Sequence, residues 1–317
     1  MLKYLLISCF FLFVHLKIRE TKGKKLDLAY DIYFPSSEEE SDLPPIVLIH
    51  AFLDSKNTWK YVAQPLADKT GRTIYAYDVR NHGDSPWTSD FNIEILVGDL
   101  KNFLALHNIS EAILVGHSLG GRTAQTLALT EPEKVEMLIV EEMGMADLTS
   151  LPDIATGFLI RVLRKSLTVI PPDADEETAL EALMNFIWKV LPGSFAPKRA
   201  FDDITLPVKI VEGNITWKAN LDVLEKSYRD GKLGNNLTGT YEEDALYIYG
   251  TKSIARIDQE KDLIKEHFPR AQLLGFVGGN HLVHHEYPED FVREIVRFIT
   301  GFISPESTCW SASEIEK

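Results

Sequence analysis

The chain has 317 residues, of which 45% are apolar, 25% charged and 10% aromatic, and such a chain can bury a large core. Its two cysteines, Cys9 and Cys309, stand near opposite ends of the sequence, which excludes a disulfide framework and a zinc site of clustered cysteines. The net charge of −14 repels a phosphate backbone, so nucleic acid is not expected as a partner.

The first 25 residues differ from the rest in charge. They hold six Lys or Arg against Glu20 alone, and the apolar stretch YLLISCFFLFVHL runs between Lys3 and Lys17. This stretch is shorter than the roughly 20 residues that span a bilayer, so segment 1–25 is predicted to be a targeting segment or a shallow anchor. A secretory signal and a mitochondrial presequence both stay open, with a retained ER-membrane anchor third, because each class lacks one of its usual features here.

Short apolar runs alternate with stretches of helical period through the body of the chain. Strands are predicted at 26–34, 46–50, 73–78, 112–115, 135–140, 245–249 and 271–276. The clearest helix begins at Asn92, a good N-cap, and ends at His107, with its apolar residues on one stripe. A last helix is predicted over 288–303. This alternation is typical of parallel βαβ units, so the predicted fold class is α/β with a mostly parallel sheet and helices on both faces.

From 147 to about 200 the apolar residues recur at helical spacing with no strand between them. The turn TVIPPDADEE divides this stretch, which is predicted to be an all-helical insertion. We therefore expect one α/β domain over 26–303 with a helical lid at about 147–200, and a loose tail over 304–317. A lid of this kind would cover the carboxyl edge of the sheet, where open α/β folds bind ligands.

The sharpest local motif is Gly116-His117-Ser118-Leu119-Gly120-Gly121, between a predicted strand and a predicted helix. A serine at such a tight turn needs glycines two residues before and after it, because strand and helix pass too closely for a Cβ atom. The motif predicts a nucleophile elbow with Ser118 as the nucleophile. The alternative is a helix N-cap serine with packing glycines.

A serine hydroxyl needs a histidine base, which in turn needs an orienting carboxylate. His281 is the first histidine beyond the last strand and lies on a Gly-rich loop, so it is the predicted base. His284 and His285 are expected to be loop or surface residues, and His117 to point away from the serine. His50 is expected to tether its loop rather than carry a proton.

The acid is less obvious, since GTKS, without a carboxylate, follows the penultimate strand. Glu141 and Glu142 stand at the end of the strand after the elbow, and strand alternation sends them to opposite sides, so only one can face the histidine. Asp147 and Asp258 are reserve candidates. A pair of solvated loop charges is an equally weighted alternative. The oxyanion hole is predicted from the backbone N–H groups of Phe52 and Leu119.

With these residues in place, the chain resembles the α/β-hydrolase superfamily over roughly 26–303, and within it the group of abhydrolase domain-containing protein 11 and its bacterial esterase relatives. The motifs that carry the resemblance are Asp78-Val79-Arg80-Asn81-His82-Gly83-Asp84-Ser85, the GHSLGG elbow, Trp217 with Asn220 and Leu221, and Phe268-Pro269-Arg270-Ala271-Gln272. The group takes its acid from the strand after the elbow, and that position falls on Glu142, so the resemblance favours Glu142 over Glu141. His82 belongs to a loop of the group and is expected to be structural.

Two positions depart from the group. Glu142 stands where Asp is usual, and Ala51 replaces the glycine of the usual His-Gly pair. Either could lower activity, so a catalytically weak or inactive binding or scaffold protein is the alternative function.

The resemblance implies a carboxylic ester hydrolase of lipid metabolism that cleaves acyl or lipid-like esters through an acyl-enzyme, with the triad Ser118, His281 and Glu142. It implies no cofactor, no metal, and a mitochondrial location in animal members. Four apolar residues of the insertion are predicted to line the acyl site: Phe158, Leu159, Phe186 and Ile187. The expected partner is a small-molecule acyl or lipid ester, with membrane association possible only through the N-terminal segment. Peptidase and acyltransferase activities share the triad and stay open.

Overall fold

The computed structural model describes residues 26–37, 42–146, 156–191, 206–211 and 214–301. The predicted targeting segment 1–25 and tail 304–317 lie outside these residues, as does Asp147. No helix within the described ranges is both long enough and apolar enough to cross a membrane.

Seven strands form one sheet in the order β1-β3-β2-β4-β5-β8-β9. Their bounds are β1 Tyr30–Tyr33, β2 Ile46–Ile49, β3 Ile74–Tyr77, β4 Ala112–His117, β5 Val135–Glu141, β8 Ala245–Gly250 and β9 Ala271–Phe276. Strand β1 pairs antiparallel with β3, and every other pairing is parallel. The seven predicted strands are therefore confirmed, and the mostly parallel sheet with them.

The helices bury both faces of this sheet. Their bounds are α1 Ala63–Thr70, α2 Ile93–Leu106, α3 Leu119–Thr130, α4 Thr156–Ser166, α5 Glu176–Val190, α6 Leu221–Arg229, α7 Lys261–His267, α8 Val283–Glu286 and α9 Pro288–Thr300. Alternation within β2 shows the division, because Val47 and Ile49 pack with residues of α2 and α3, whereas Ile46 and Leu48 pack with residues of α1 and α9. Apolar layers on both faces thus fix the sheet. The loops at its carboxyl edge are outside these layers and can carry a site.

Helix α2 begins where the sequence predicts. The Asn92 side chain accepts a hydrogen bond of 2.8 Å from the backbone N–H of Ile95, and His107 is the C-cap. The stripe predicted to face the sheet is buried, with Leu100 fully inaccessible. Capping and amphipathic period therefore agree at this helix.

The described part of the insertion is helical, as predicted. It contains α4 and α5, and the Asp175 side chain caps α5 by accepting from the backbone N–H of Thr178 at 2.9 Å. The sequence did not predict the antiparallel pair β6 Val208–Val211 and β7 Asn214–Trp217 that follows. Trp217 at the end of β7 donates through its indole N–H to the carbonyl of Leu163 at 2.9 Å, which ties this pair to α4.

Candidate active site

Ser118 lies at the turn between β4 and α3, with backbone angles of φ 50° and ψ −113°. A positive φ is uncommon for a residue with a Cβ atom, and strain of this kind is typical of a nucleophile elbow. A Cβ atom on Gly116 would stand 2.4 Å from the Gly120 carbonyl oxygen, and one on Gly120 would stand 2.1 Å from that of Ile49. The predicted elbow geometry is present. Ser118 stands at the N-cap position of α3, but its side chain makes no capping hydrogen bond within the described structure.

Glu142, directly after β5, faces His281. Its carboxylate accepts a hydrogen bond from His281 Nδ1 at 3.1 Å, a second from the backbone N–H of Gly250 at 2.6 Å, and a third from the Ser253 hydroxyl. The Glu142 side chain is inaccessible, whereas that of His281 is 22% exposed. A carboxylate that accepts from Nδ1 fixes the neutral imidazole with its proton there, so Nε2 is left as a proton acceptor.

The backbone of His281 is tied directly to the elbow. His117, the residue before Ser118, donates through Nε2 to the carbonyl oxygen of His281 at 2.8 Å, and the two imidazole rings are 5.0 Å apart. In the described structure the Ser118 hydroxyl and the His281 ring are not hydrogen bonded to each other. Nucleophile–base contacts are often long in a free enzyme and tighten when substrate is present.

The loop after β2 carries Phe52, whose backbone N–H is predicted to be an oxyanion donor. This N–H has no hydrogen-bond acceptor within the described residues, whereas the next N–H, of Leu53, is bound to His82 Nε2 at 3.0 Å. Leu119 is the first residue of α3, so its N–H has no acceptor within the helix. The close approach of Gly120 to Ile49 brings this loop against the start of α3. Two unpaired backbone N–H groups therefore flank the elbow.

The histidines of the neighbouring turns act as tethers. His50 accepts from the backbone N–H of Val79 at 2.9 Å, and His82 donates through Nδ1 to the carbonyl of Arg80 at 2.9 Å. Both side chains are fully buried, and burial lowers their pKa values, to about 4 for His50 and about 3 for His82. They stay neutral at physiological pH and hold the loops after β2 and β3 together.

Ala51 fits its position without backbone strain. The positive φ of this loop falls on Leu53, at 66°, and not on Ala51. A methyl group in place of a glycine hydrogen is costly mainly where φ is positive. Ala51 therefore gives no conformational reason for lowered activity.

Glu141 corrects two expectations. It is fully buried, and its carboxylate accepts hydrogen bonds from two groups of His284. His284 Nδ1 lies 2.8 Å from each carboxylate oxygen, and the backbone N–H of His284 lies 3.0 Å from Oε1. His284 is also buried, with 1% exposure. The interpretation of Glu141 and Glu142 as solvated loop charges is wrong, and so is the placement of His284 at the surface. His285 is half-buried, and the Thr58 hydroxyl lies 2.9 Å from Nε2 of both His284 and His285.

Burial governs the protonation of this second pair. The lack of solvent raises the pKa of Glu141 to about 7 and lowers that of His284 to about 3. The apolar surroundings explain both directions, since the rings of Trp59 and Phe291 lie 4.6 and 5.9 Å from that of His284. Between about pH 3 and pH 7 both members of the pair are therefore uncharged.

Donor atoms of His117, Glu141 and His284 lie within 4.8 Å of one another, and two histidines with one glutamate are a donor set that zinc accepts. The contacts of 2.8 Å between His284 Nδ1 and the Glu141 oxygens are shorter than the about 3.3 Å that separates ligand atoms around a tetrahedral zinc ion. The arrangement fits a hydrogen-bonded pair better than a metal centre.

The remaining candidates are placed as follows. Asp258 is half exposed and pairs with Arg256 at 3.7 Å. The four residues predicted to line an acyl site lie on α4 and α5, where Ile187 is buried in the core and the other three, Phe158, Leu159 and Phe186, are half-buried. Their contact with substrate stays a prediction.

The sequence does not predict a role for Gly250 and Ser253, which lie at the end of the penultimate strand and just after it, where the acid usually stands. These residues supply an N–H and a hydroxyl that hold the Glu142 carboxylate. The signal available in the sequence was the serine of GTKS at this point, because a hydroxyl there can hold an acid that another strand supplies.

Comparison with known proteins identifies relatives of this chain. Residues 44–288 match the family model described as alpha/beta hydrolase fold. The sn-1-specific diacylglycerol lipase ABHD11 of Danio rerio is 27% identical over 275 residues, which are 86% of this chain and 83% of that protein. A probable alcohol acetyltransferase of Saccharomyces cerevisiae is 28% identical over 89% of this chain and 86% of that protein. The solved structure of a marine microorganism esterase is 25% identical, has a TM-score of 0.70, and covers 86% of this chain and 99% of its own.

Proposed function

The chain belongs to the α/β-hydrolase family, and from that premise we propose that it is a serine hydrolase that cleaves carboxylic esters through an acyl-enzyme on Ser118. The observation that carries the proposal is the hydrogen bond from His281 to the buried Glu142. His281 lies on a loop whose backbone is hydrogen bonded to His117 of the elbow. The esterase and lipase relatives support ester hydrolysis as the general activity.

In the proposed mechanism, Ser118 Oγ attacks the ester carbonyl carbon while its proton passes to His281 Nε2. The negative charge that develops on the carbonyl oxygen is stabilised by the backbone N–H groups of Phe52 and Leu119. The imidazolium, which Glu142 stabilises, then protonates the leaving ester oxygen as its bond to the carbonyl carbon breaks, and this oxygen departs as the alcohol. Water, deprotonated by His281, hydrolyses the acyl-enzyme and releases the carboxylic acid and the free serine.

The proposed substrates are esters with an apolar acyl group. Phe158 and Phe186, half-buried on α4 and α5, offer aromatic surface from the insertion, and such surface suits an acyl chain better than a polar leaving group. The relative from Danio rerio is named as a diacylglycerol lipase, which agrees with a lipid-like substrate.

Hydrolysis of a series of p-nitrophenyl esters of rising acyl length tests the proposal. Wild type is expected to turn over these esters, and Ser118→Ala to lose about 10⁴- to 10⁶-fold in kcat with its fold intact. Wild type without activity on any ester would instead favour a binding or scaffold protein on this fold.

Acyl transfer to an alcohol is a second candidate, because the relative from Saccharomyces cerevisiae is named as a probable alcohol acetyltransferase. The same acyl-enzyme serves both reactions, and only the acceptor differs. Product analysis in water with added ethanol separates them: a transferase forms ethyl ester in excess of the free acid, and a hydrolase does not.

A further inference from the structure

Several hydrogen bonds hold the backbone around His281, and three of them are made at Asn280, His281 and His284. The N–H of Asn280 is bound to the Glu286 carboxylate at 3.2 Å, the carbonyl of His281 to His117 at 2.8 Å, and the N–H of His284 to Glu141 at 3.0 Å. Glu286 is the last residue of α8, directly after this loop, so of the three partners only His117 and Glu141 come from the sheet.

These two anchors are neighbours on adjacent strands. His117 and Glu141 are paired in the parallel register of β4 and β5, and each is the last residue of its strand. The next residues are Ser118 and Glu142, the proposed nucleophile and acid. The last residue of each strand therefore holds the backbone of the segment that carries His281. The residue after it, Ser118 or Glu142, supplies a group that acts with the His281 imidazole.

Glu141 also binds the side chain of His284, whose Nε2 contacts the Thr58 hydroxyl at 2.9 Å. Thr58 follows the loop that carries Phe52, and its N–H is bound to the carbonyl of Ser55. The hydroxyl, imidazole and carboxylate of Thr58, His284 and Glu141 form a chain of the same composition as the proposed triad. The members of this chain are 5%, 1% and 0% exposed, so substrate does not reach them.

We infer that Glu141 and His284 are positioning residues, a buried pair that fixes the loop carrying His281 against the strand ends and against the loop after β2. The inference rests on the proposed role of His281 as the base. Glu141 is unavailable to solvent and to substrate, and its hydrogen bonds to this segment go to the peptide and side chain of His284. A displacement of about 1 Å at a catalytic group can lower a rate about 100-fold, so a loose anchor three residues from the base is enough to affect catalysis.

The test compares Glu141→Gln with Glu136→Gln. Both residues lie on β5, but Glu136 is near its other end and binds Arg72 at 2.7 and 2.9 Å. Each substitution replaces one carboxyl oxygen of a pair by an amide nitrogen while it keeps the shape of the side chain. We expect Glu141→Gln to lower kcat for ester hydrolysis about 10- to 100-fold with KM unchanged, and Glu136→Gln to keep kcat within twofold of wild type.

A role in stability alone predicts a different result. Both variants would then lower the melting temperature and leave the kcat of the folded enzyme unchanged. A Glu141→Gln enzyme that is folded and within twofold of wild type in kcat would overturn the inference. Inactive wild type would contradict the proposed function instead, so the two failures are distinguishable.

His284 provides a second comparison that decides the question if Glu141→Gln does not fold. Asn at position 284 keeps a side-chain N–H where Nδ1 now donates to Glu141, whereas Ala removes it. We expect His284→Asn to retain at least five times the kcat of His284→Ala, with equal KM. Equal kcat values for these two variants would contradict a positioning role.

Discussion

Glu141 and Glu142 are consecutive residues, and each binds a different histidine of the same loop: Glu141 holds His284, and Glu142 holds His281. Glu141 is the last residue of β5, and Glu142 follows it with a positive φ of 57°, so the two side chains leave the strand end in different directions. The Glu142 carboxylate therefore reaches the partly exposed imidazole of His281, and the Glu141 carboxylate reaches the imidazole of His284, which packs on Trp59 and Phe291. The two are not interchangeable.

Loss of the Glu142 charge is expected to slow catalysis without weakening binding. Glu142→Gln keeps the shape of the side chain but no longer stabilises the imidazolium of His281, so kcat should fall about 10²- to 10⁴-fold with little change in KM. Steady-state kinetics on one ester measure both constants. Asp258→Asn is the control and should be silent; the reverse pattern, with Asp258→Asn inactive, would move the acid to another strand.

The length of the acid gives a separate test. Glu142→Asp restores the residue usual in the group that the sequence resembles, but it withdraws the carboxylate from Gly250 and Ser253 by one methylene. We expect activity between those of wild type and Glu142→Gln. A Glu142→Asp variant as slow as Glu142→Gln would show that this loop cannot close the gap.

Ser253 is expected to support the acid through its hydroxyl. Hydrogen bonds to a charged group contribute about 1.5–3 kcal/mol, so Ser253→Ala should lower kcat about 10-fold by loosening the Glu142 carboxylate. Thr70→Val is the control, because the Thr70 hydroxyl binds the carbonyl of Leu66 within α1 and not the acid. Equal effects of the two substitutions on kcat would argue against a specific role for Ser253.

Much of this arrangement follows from local sequence. The buried strands are runs of β-branched and apolar residues. The glycines around Ser118 predict a close approach of two backbone segments, which the structure shows between Gly120 and Ile49. The pair β6 and β7 could not be predicted in this way, because VKIV and NITW are short and carry polar residues.

The partners of the acidic residues could not be predicted either. Glu141 and His284 are 143 positions apart, and a glutamate pair at a strand end has the same local pattern whether it is solvated or buried. The packing of Trp59 and Phe291 around His284 buries the partner of Glu141, and this packing is a long-range contact that the local sequence does not contain.

A methyl group at Gly120 is expected to disrupt the elbow. Its Cβ atom would meet backbone oxygens of β2 and the following loop, Ile49 O at 2.1 Å and His50 O at 2.8 Å, and backbone cannot move aside as a side chain can. Gly120→Ala should therefore destabilise the fold by about 1–3 kcal/mol or more. Gly98→Ala, in α2 with nothing within 4 Å of its added Cβ atom, should stabilise it by roughly 0.5–1 kcal/mol. Urea denaturation compares the two, and equal effects would contradict the close crossing.

The stability of the protein is expected to depend on pH through Glu141. Its pKa is about 7 in the folded chain against an ordinary value of 4.5, so between these values the folded state keeps a proton that the unfolded state has released. The groups that face it are His117, His281, His284 and Glu142. As pH rises from 4.5 to 7, this group makes the free energy of unfolding fall.

Comparison of wild type with Glu141→Gln isolates this contribution. The stability of wild type relative to the variant should fall by up to about 3 kcal/mol between pH 4.5 and pH 7.5. Urea unfolding at the two pH values measures the difference. A relative stability that is flat or rises with pH would show that Glu141 ionises normally in the folded protein.

Covalent labelling tests the central claim most directly, since only an activated serine displaces fluoride from a fluorophosphonate. Intact-mass and peptide analysis of the wild-type enzyme should find one phosphonyl group, on Ser118, with none on Ser118→Ala and labelling slowed at least 100-fold in His281→Ala. An unlabelled wild-type enzyme, or a label that persists in Ser118→Ala on another residue, would contradict the assignment of Ser118 as the nucleophile.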